Sequence, residues 1–373
     1  MNCWRQTWHF CVVVLFSLTT AAVAQDSVEN SLTAQEATAV DGAVQTAIEE
    51  QKLVGVAVGI LRQGRIVFLK GYGSSNREQR IAVTADTKFN WASNSKPIAA
   101  VLAMQLVERK KLDLDADVRK YVPEFPEKDS VITTRHLLCH QSGIPHYANG
   151  KVVPTVRQYD QADPFSQPIW ALDKFNQSPL ISSPGEKVAY SSYAYILLSA
   201  VIERAGEQPF LQQVQSRIAE PLGMQSFDLD TGGDRPELAV GYGKLGDTIT
   251  RSLDEAQAWK HGAGAFRSNV RDFARWAEAL LNRRLVSEES EAAMWAIQPL
   301  KNGQPTTWGL GFTVENGEQG FKVSHNGAQP ETKTRMVLFP KARHGIVVMS
   351  NSGYADVSKI STAISAELFR KRR

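Results

Sequence analysis

Three short segments of this chain carry hydroxyl, amine, phenol and imidazole groups in an order suited to acyl transfer: Ser93-Asn94-Ser95-Lys96, Tyr190-Ser191-Ser192 and His325-Asn326-Gly327. A serine hydroxyl attacks a carbonyl only when a neighbouring base takes its proton, and lysine or tyrosine can be that base where the surroundings tune them. Pro97 follows the first segment at once, and proline is tolerated in a helix only in its first turn. Ser93 is therefore expected at a helix amino end. Ile98, Val101, Leu102 and Leu106 continue at helical spacing, and Arg109, Lys110 and Lys111 fall where cations complement the carboxyl pole. This helix should be buried along one stripe. Three residues of separation bring Lys96 onto the face of Ser93, and amides at the helix start can hold an oxyanion. Taken alone, the segment also reads as an N-capping serine followed by a solvated lysine.

The second segment lies in the approach to another helix. Pro184-Gly185-Glu186 marks a turn, and Tyr193 to Arg204 carries the stripe Ile196, Leu197, Ala200 and Val201 before Gly206. A phenol with an ordinary pKa near ~10 acts as a base near neutrality only if a cation favours the phenolate. Lys96 is the expected source of that charge. The plainer reading of Tyr190 is a packed ring with a locally bonded hydroxyl. The third segment falls on a strand, because Phe321 and Val323 alternate with polar neighbours up to His325. Gly327 would let a substrate approach the strand edge, and the amide of Ala328 could pair with that of Ser93 as an oxyanion hole. A lone histidine there is equally at home as a structural or solvated residue. Two further strand-like runs follow, Thr334 to Phe339 and Gly345 to Ser350, joined by Pro340-Lys341-Ala342-Arg343. They predict an antiparallel meander.

With these segments the chain resembles the serine β-lactamase-related family (peptidase S12 type), which includes class C β-lactamases, low-molecular-mass penicillin-binding proteins and related esterases. The resemblance extends over Lys111-Leu112-Asp113-Leu114-Asp115, Ile132 to Leu138 with Ser142-Gly143-Ile144, Pro221-Leu222-Gly223-Met224, Gly262-Ala263-Gly264-Ala265-Phe266 and Trp308-Gly309-Leu310-Gly311-Phe312. It implies Ser93 as nucleophile, Lys96 as its proton partner and Tyr190 as general base. Ser192, His325, Asn326, Gly327 and Ala328 fall at its substrate and oxyanion positions. Two residues depart from the pattern. Ser192 stands where the family's Tyr-x-Asn motif has asparagine, and His325 stands where β-lactamases have the lysine of Lys-Thr-Gly. Both changes point toward an esterase or D-amino-acid peptidase rather than an efficient β-lactamase. Neither Ser-Asp-Asn nor Lys-Thr-Gly occurs, so the class A pattern is absent.

Two other functions remain open at this stage. His136, Cys139, His140 and His146 are dense enough to suggest a zinc-dependent hydrolase, although no His-Glu-x-x-His is present. Ser192 and His325 also suit a penicillin-binding sensor that traps an acyl group or no longer reacts. The serine reading expects no metal and no cofactor, and its partner is a small-molecule or peptide substrate.

The elements that must position these residues read as α+β. A helix from about Ala34 to Gln51 precedes strand-like runs Gly55 to Leu61 and Arg65 to Lys70 around Gln63-Gly64, and an amphipathic helix from about Ala355 to Leu368 follows the meander. An antiparallel sheet flanked by terminal helices is thus expected from 25–92 plus 301–373, with a mainly helical domain, 93–300, inserted. This is the architecture of the β-lactamase/transpeptidase fold, and the site should lie in the cleft between the parts. Loops from Tyr147 to Phe165 and from Asp228 to Asp254 are expected to shape access.

Residues 1–24 read as a signal peptide: Arg5, an apolar stretch from Phe10 to Ala24, and Ala22-Val23-Ala24 ahead of Gln25. The apolar core is short of the roughly 20 residues that span a bilayer. Periplasmic or secreted location without stable membrane insertion is expected. Cleavage would remove Cys3 and Cys11 and leave Cys139, so no internal disulfide could form. With 43% hydrophobic and 22% charged residues, 373 residues can bury a sizeable core. A net charge of +3 with no basic stripe gives no reason to expect nucleic acid. Arg370 to Arg373 reads as a solvated basic tail.

Overall fold

Thr33 accepts the amide of Glu36, and the Glu36 carboxylate accepts the Thr33 amide in return. This reciprocal cap starts the helix Ala34–Gln51. The computed structural model describes residues 31–158, 164–233, 235–253, 255–317 and 320–369. The expected leader with Cys3 and Cys11, and the tail Arg370 to Arg373, lie outside the described residues.

After the first helix, Gly55–Arg62 and Arg65–Asn76 pair antiparallel about Gln63-Gly64. Both turn residues have positive φ, as a two-residue hairpin turn requires. Among the described residues, seven strands form the main sheet, in the spatial order Ile81–Ala82, Arg65–Asn76, Gly55–Arg62, His344–Ser350, Thr332–Phe339, Gly320–Gln329, Thr313–Gly317. Gly55–Arg62 lies beside His344–Ser350 in the register Val56↔Ser350 to Leu61↔Gly345, so the sheet is built from both ends of the chain. Alternation along each strand sorts its side chains between two layers. Val56, Val58 and Ile60 pack with Val40, Val44, Ile360 and Ile364 of the terminal helices. Ala57, Val323, Met336 and Leu338 face the opposite layer, which holds the helices Lys96–Glu108 and Ser192–Gly206. The arrangement is the α+β fold with a large antiparallel sheet that the residue pattern predicts.

Two features differ from the sequence reading. Lys96–Glu108 buries every residue from Lys96 to Leu106, not a single stripe. It is enclosed by Ser192–Gly206, Phe210–Val214, Glu288–Trp295 and the turn Ala258–Ala263, and a helix surrounded on all sides needs apolar residues all round. The stretch from Asp228 to Asp254 is also more than a loop. Asp228–Leu229 pairs with the strand Phe266–Asn269, and Tyr242–Leu245 pairs with Thr248–Arg251 as a hairpin. These strands are short and largely polar or exposed, so no alternation signals them. Among the described residues, no helix is long and apolar enough to cross a membrane.

Candidate active site

The turn that carries Ser93 is pinned before the helix starts. The Trp91 indole donates to Ser268 Oγ at 2.8 Å, and the Trp91 carbonyl accepts from Thr334 Oγ1 at 2.8 Å. Ala92 follows with φ +48°, a left-handed conformation that costs energy for a residue with a Cβ and that surrounding contacts must enforce. Ala92–Ser95 then forms a 3-10 turn leading into Lys96–Glu108. Ser93 lies in that turn and not at the N-cap position. Ser95 occupies the cap position without a capping bond, and its Oγ accepts the Phe266 amide at 3.2 Å.

Lys96 is completely buried. Its Nζ lies 3.0 Å from Ser93 Oγ, 3.1 Å from Ser192 Oγ and 2.7 Å from the Ala263 carbonyl. No carboxylate is among these contacts. Burial, aided by the positive charge of Lys260, holds the Lys96 pKa well below the usual lysine value. The side chain is therefore inclined to be a free amine.

Tyr190 is packed in a nest of rings: His140 at 4.3 Å, His146 edge-on at 5.5 Å and Trp308 at 5.9 Å between centroids. Lys96 Nζ lies 4.9 Å from the centre of the Tyr190 ring. Burial raises the phenol pKa, against hydrogen bonding from Ser93 and Ser192 that lowers it. The expectation that Lys96 would stabilise a phenolate is therefore corrected. Desolvation drives both groups toward their neutral forms, and an uncharged amine offers no field to hold a phenolate.

The histidines that suggested zinc do other work. Among the described residues no group of three His, Cys, Asp or Glu side chains is placed to hold a metal ion. His136 completes a capping box with Thr133. Cys139 is buried, and burial pushes its thiol up to about 12. His140 Nδ1 accepts the Ser191 amide at 3.3 Å, and His146 Nδ1 accepts the Ser192 amide at 3.2 Å. Ser191 caps Ser192–Gly206 by accepting the Ala194 amide, and it donates to the Pro145 carbonyl. Two imidazoles and one hydroxyl thus fix the segment that bears Tyr190.

On the opposite wall, the strand Gly320–Gln329 pairs with Thr313–Gly317 only as far as Ser324↔Thr313, so its edge beyond that point is not covered by that strand. Gly327 was expected to admit substrate. A Cβ there would instead meet the Trp91 carbonyl oxygen and Thr334 Oγ1, each at 2.2 Å. The glycine lets the strand pack against the nucleophile turn. The Asn94 carboxamide ties the same pieces together, placed to accept the Gly327 amide and donate to the His325 carbonyl, each at 3.1 Å. Asn326 is exposed, and its Oδ1 accepts from Arg335 at 2.7 Å.

His325 is buried, with Nδ1 2.8 Å from the Asn326 carbonyl. A carbonyl only accepts, so Nδ1 carries the proton and Nε2 is left as an acceptor, unpartnered among the described residues. Burial above all lowers this imidazole to about 3. It is neutral at physiological pH and is no substitute for a lysine cation.

Ser93, Tyr190, Ser192, His325, Asn326 and Ala328 all line one cavity of about 360 Å³. Lys96 and Gly327 lie behind its wall. Sequence reasoning missed Asn94, the carbonyl of Ala263, Trp308 and Lys260 as parts of the site, and misread His140 and His146. The clustering of histidines, the glycine-rich motif that contains Ala263, the Trp308-Gly309-Leu310-Gly311-Phe312 motif and the place of Asn94 between Ser93 and Lys96 were the signals for them, and Lys260 had none. A second cavity of about 320 Å³, beside Arg235 and Glu331, contains none of the reacting groups.

A model of the Beta-lactamase family matches residues 40–369. The chain belongs to the Beta-lactamase family and is a hydrolase of the β-lactamase fold. Protein flp of Staphylococcus aureus (strain N315) is 24% identical over 345 residues, covering 90% of this chain and 67% of the relative. Esterase EstB of Burkholderia gladioli is 32% identical over 194 residues, half of this chain and 49% of its own length. Among solved structures, EstCE1, a hydrolase with promiscuous acyltransferase activity, superposes with a TM-score of 0.76 at 22% identity, covering 90% of this chain and 98% of its own. The D-amino acid amidase of Ochrobactrum anthropi SV3 gives 0.74 at 21% identity, covering 89% and 98%. The penicillin-binding protein homologue of Pyrococcus abyssi gives 0.73 at 24% identity, covering 89% and 77%.

Proposed function

We propose that this chain is an exported serine hydrolase that cleaves an ester, or an amide or peptide of a D-amino acid, through an acyl-enzyme on Ser93. One observation carries the reading: a fully buried lysine amine, with lowered pKa, lies 3.0 Å from a cavity-lining serine hydroxyl. As a free amine Lys96 has two N–H donors and one lone pair. The Ala263 carbonyl and Ser192 Oγ take the donors, which leaves the lone pair for the Ser93 proton.

In this mechanism the Ser93 proton passes to Nζ as Oγ bonds to the substrate carbonyl carbon. The carbonyl electron pair moves onto oxygen, which the amides of Ser93 and Ala328 stabilise. When the intermediate collapses, the bond to the leaving group breaks and that group takes the phenol proton of Tyr190. The Lys96 ammonium then returns a proton to Tyr190 through the Ser192 hydroxyl, since Ser93 Oγ is now the ester oxygen of the acyl-enzyme. Water repeats the cycle to release the acyl group. Tyr190 thus acts as a neutral relay. Ser192, a hydroxyl in place of a carboxamide, suits such a relay and gives up an amide contact to substrate. With the neutral His325, it favours esters and small amides over β-lactams. The similarity to esterase EstB, to the hydrolase EstCE1 and to a D-amino acid amidase agrees with that range, and export rests on the apolar run that ends at Ala24.

Mass spectrometry after treatment with a fluorophosphonate, and separately with a penicillin, tests the nucleophile. Wild type should gain a single fluorophosphonate adduct on Ser93, and Ser93→Ala should gain none. An adduct that survives the substitution refutes the assignment, and a burst without turnover on every ester marks an acyl trap instead of a hydrolase.

A further inference from the structure

Lys260 lies outside the segments that bear Ser93, Tyr190 and His325, yet it lines the same cavity as Ser93, Tyr147 and Ser192. It comes from the turn Ala258–Ala263, whose later residues include Ala263, the carbonyl partner of Lys96. Its Nζ stands 5.4 Å from the centre of the Tyr147 ring and 5.6 Å from that of Trp259. Among the described residues it has no hydrogen-bond or ion-pair partner. Ser192 opposes the rise that burial gives the Tyr147 phenol, and Ser192 Oγ is 3.1 Å from Lys96 Nζ. A short chain of contacts therefore joins this ammonium to the reacting groups.

The charge inventory of the cavity is one-sided. His146 is lowered to about 4 and His325 to about 3, chiefly by burial, and Lys96 is inclined to neutrality. No carboxylate is among the lining residues. Burial lowers Lys260 itself, and Glu331, Asp230 and Glu255 oppose that shift through space and favour its charged form. The described lining of the cavity thus carries one formal charge, an ammonium held on aromatic faces with its donors unused. A cation kept half-desolvated without a partner binds an anion more strongly than one in open water does.

We propose that Lys260 is the specificity residue of this site and that the substrate is an ester or amide carrying a carboxylate, or an equivalent anion, near the scissile carbonyl. The cation that the strand lacks at His325 is supplied from the turn on the other side of the cleft. This inference rests on the acyl-enzyme reading of Ser93 and narrows it to anionic substrates.

Matched ester pairs test it. One pair places the charge on the acyl side: the p-nitrophenyl ester of adipic acid and that of its monomethyl ester. The other places it on the leaving group: p-nitrophenyl butyrate and its ring-carboxylated counterpart. The readout is the ratio of kcat/KM for the charged and neutral members, at neutral pH and at low and high salt. Wild type should prefer the charged member of at least one pair, and salt should reduce that preference. Lys260→Met should lower the ratio by about tenfold or more, and Lys260→Arg should keep it within about threefold. A packing role for Lys260 would change both members alike and leave the ratio untouched. The inference is overturned if wild type prefers the neutral member of both pairs, or if Lys260→Met leaves the ratio unchanged. In either case acylation of Ser93 by the neutral esters would leave the parent reading standing. If no ester acylates Ser93 in wild type, the acyl-enzyme reading fails and this inference with it.

Discussion

Replacing Lys96 by methionine isolates the base on which the proposed chemistry depends. Methionine matches the length of the lysine stem and can fill the same buried channel, but it has neither lone pair nor N–H. Three contacts disappear, to Ser93, Ser192 and the Ala263 carbonyl. Loss of a positioned base slows reaction by roughly 10²- to 10⁴-fold, about 3–5 kcal/mol of barrier. Stability should move much less. The Ala263 carbonyl and the Ser192 hydroxyl lose a donor at about 1 kcal/mol each, and this is opposed by relief from burying an amine. The pH dependence separates a base from a fixed cation. A proton on Nζ blocks the lone pair, so kcat/KM in wild type should fall as pH drops through the Lys96 pKa, which lies well below 10.5. That limb should vanish in Lys96→Met. Lys96→Arg keeps a cation but cannot lose a proton near neutrality, and it should be as slow as the methionine variant. The assay is the burst and steady-state release of p-nitrophenol from an activated ester, with thermal unfolding as the control for folding. If Lys96→Met keeps kcat/KM within about tenfold of wild type with its acid limb intact, Lys96 is not the base.

Three further outcomes are expected. Tyr190→Phe should keep the fold and the fluorophosphonate adduct but slow turnover by roughly 10²- to 10³-fold, read from steady-state hydrolysis; turnover within about threefold of wild type would remove Tyr190 from the proton path. Gly327→Ala should lower stability by about 2–3 kcal/mol and slow acylation, because the added methyl meets the Trp91 carbonyl oxygen at 2.2 Å; an unchanged melting temperature would show that the turn can yield. Glu36 is lowered to about 2, first by its hydrogen bond with Arg62 and then by the Thr33 amide, so its contribution is full above the ordinary carboxyl value of 4.5 and is lost as pH falls through about 2. Glu36→Gln should therefore cost about 0.5–1 kcal/mol at neutral pH, and denaturant titrations should bring the variant and wild type together in acid; a gap that widens in acid would refute the assignment.

Much of the scaffold is legible along the chain. The helix Ala34–Gln51, the hairpin about Gln63-Gly64 and the meander through Thr332–Phe339 and His344–Ser350 are marked by local periodicity and turn residues, because their hydrogen bonds close over short stretches. The Tyr242–Leu245 hairpin escaped notice because its short strands are too polar and too exposed to alternate. Ser93, Tyr190 and His325 could be singled out because chemistry restricts which residue types a site can use.

What no local pattern records is the electrostatic state of those residues. Lys96 sits in an apolar helix in either description, but its inclination to be a free amine follows from layers contributed by residues near 192 and 263, far away in the chain. The same desolvation keeps Tyr190 a phenol and His325 a neutral ring. Gly327 changed meaning for a related reason: the carbonyl that needs its missing side chain belongs to Trp91, more than two hundred residues earlier. The sequence by itself determined which reactive groups exist and which local elements bear them. Tertiary structure alone decided their protonation, their partners and the place of Lys260 among them, because desolvation and close contact depend on what folding brings near and not on what is adjacent in the chain.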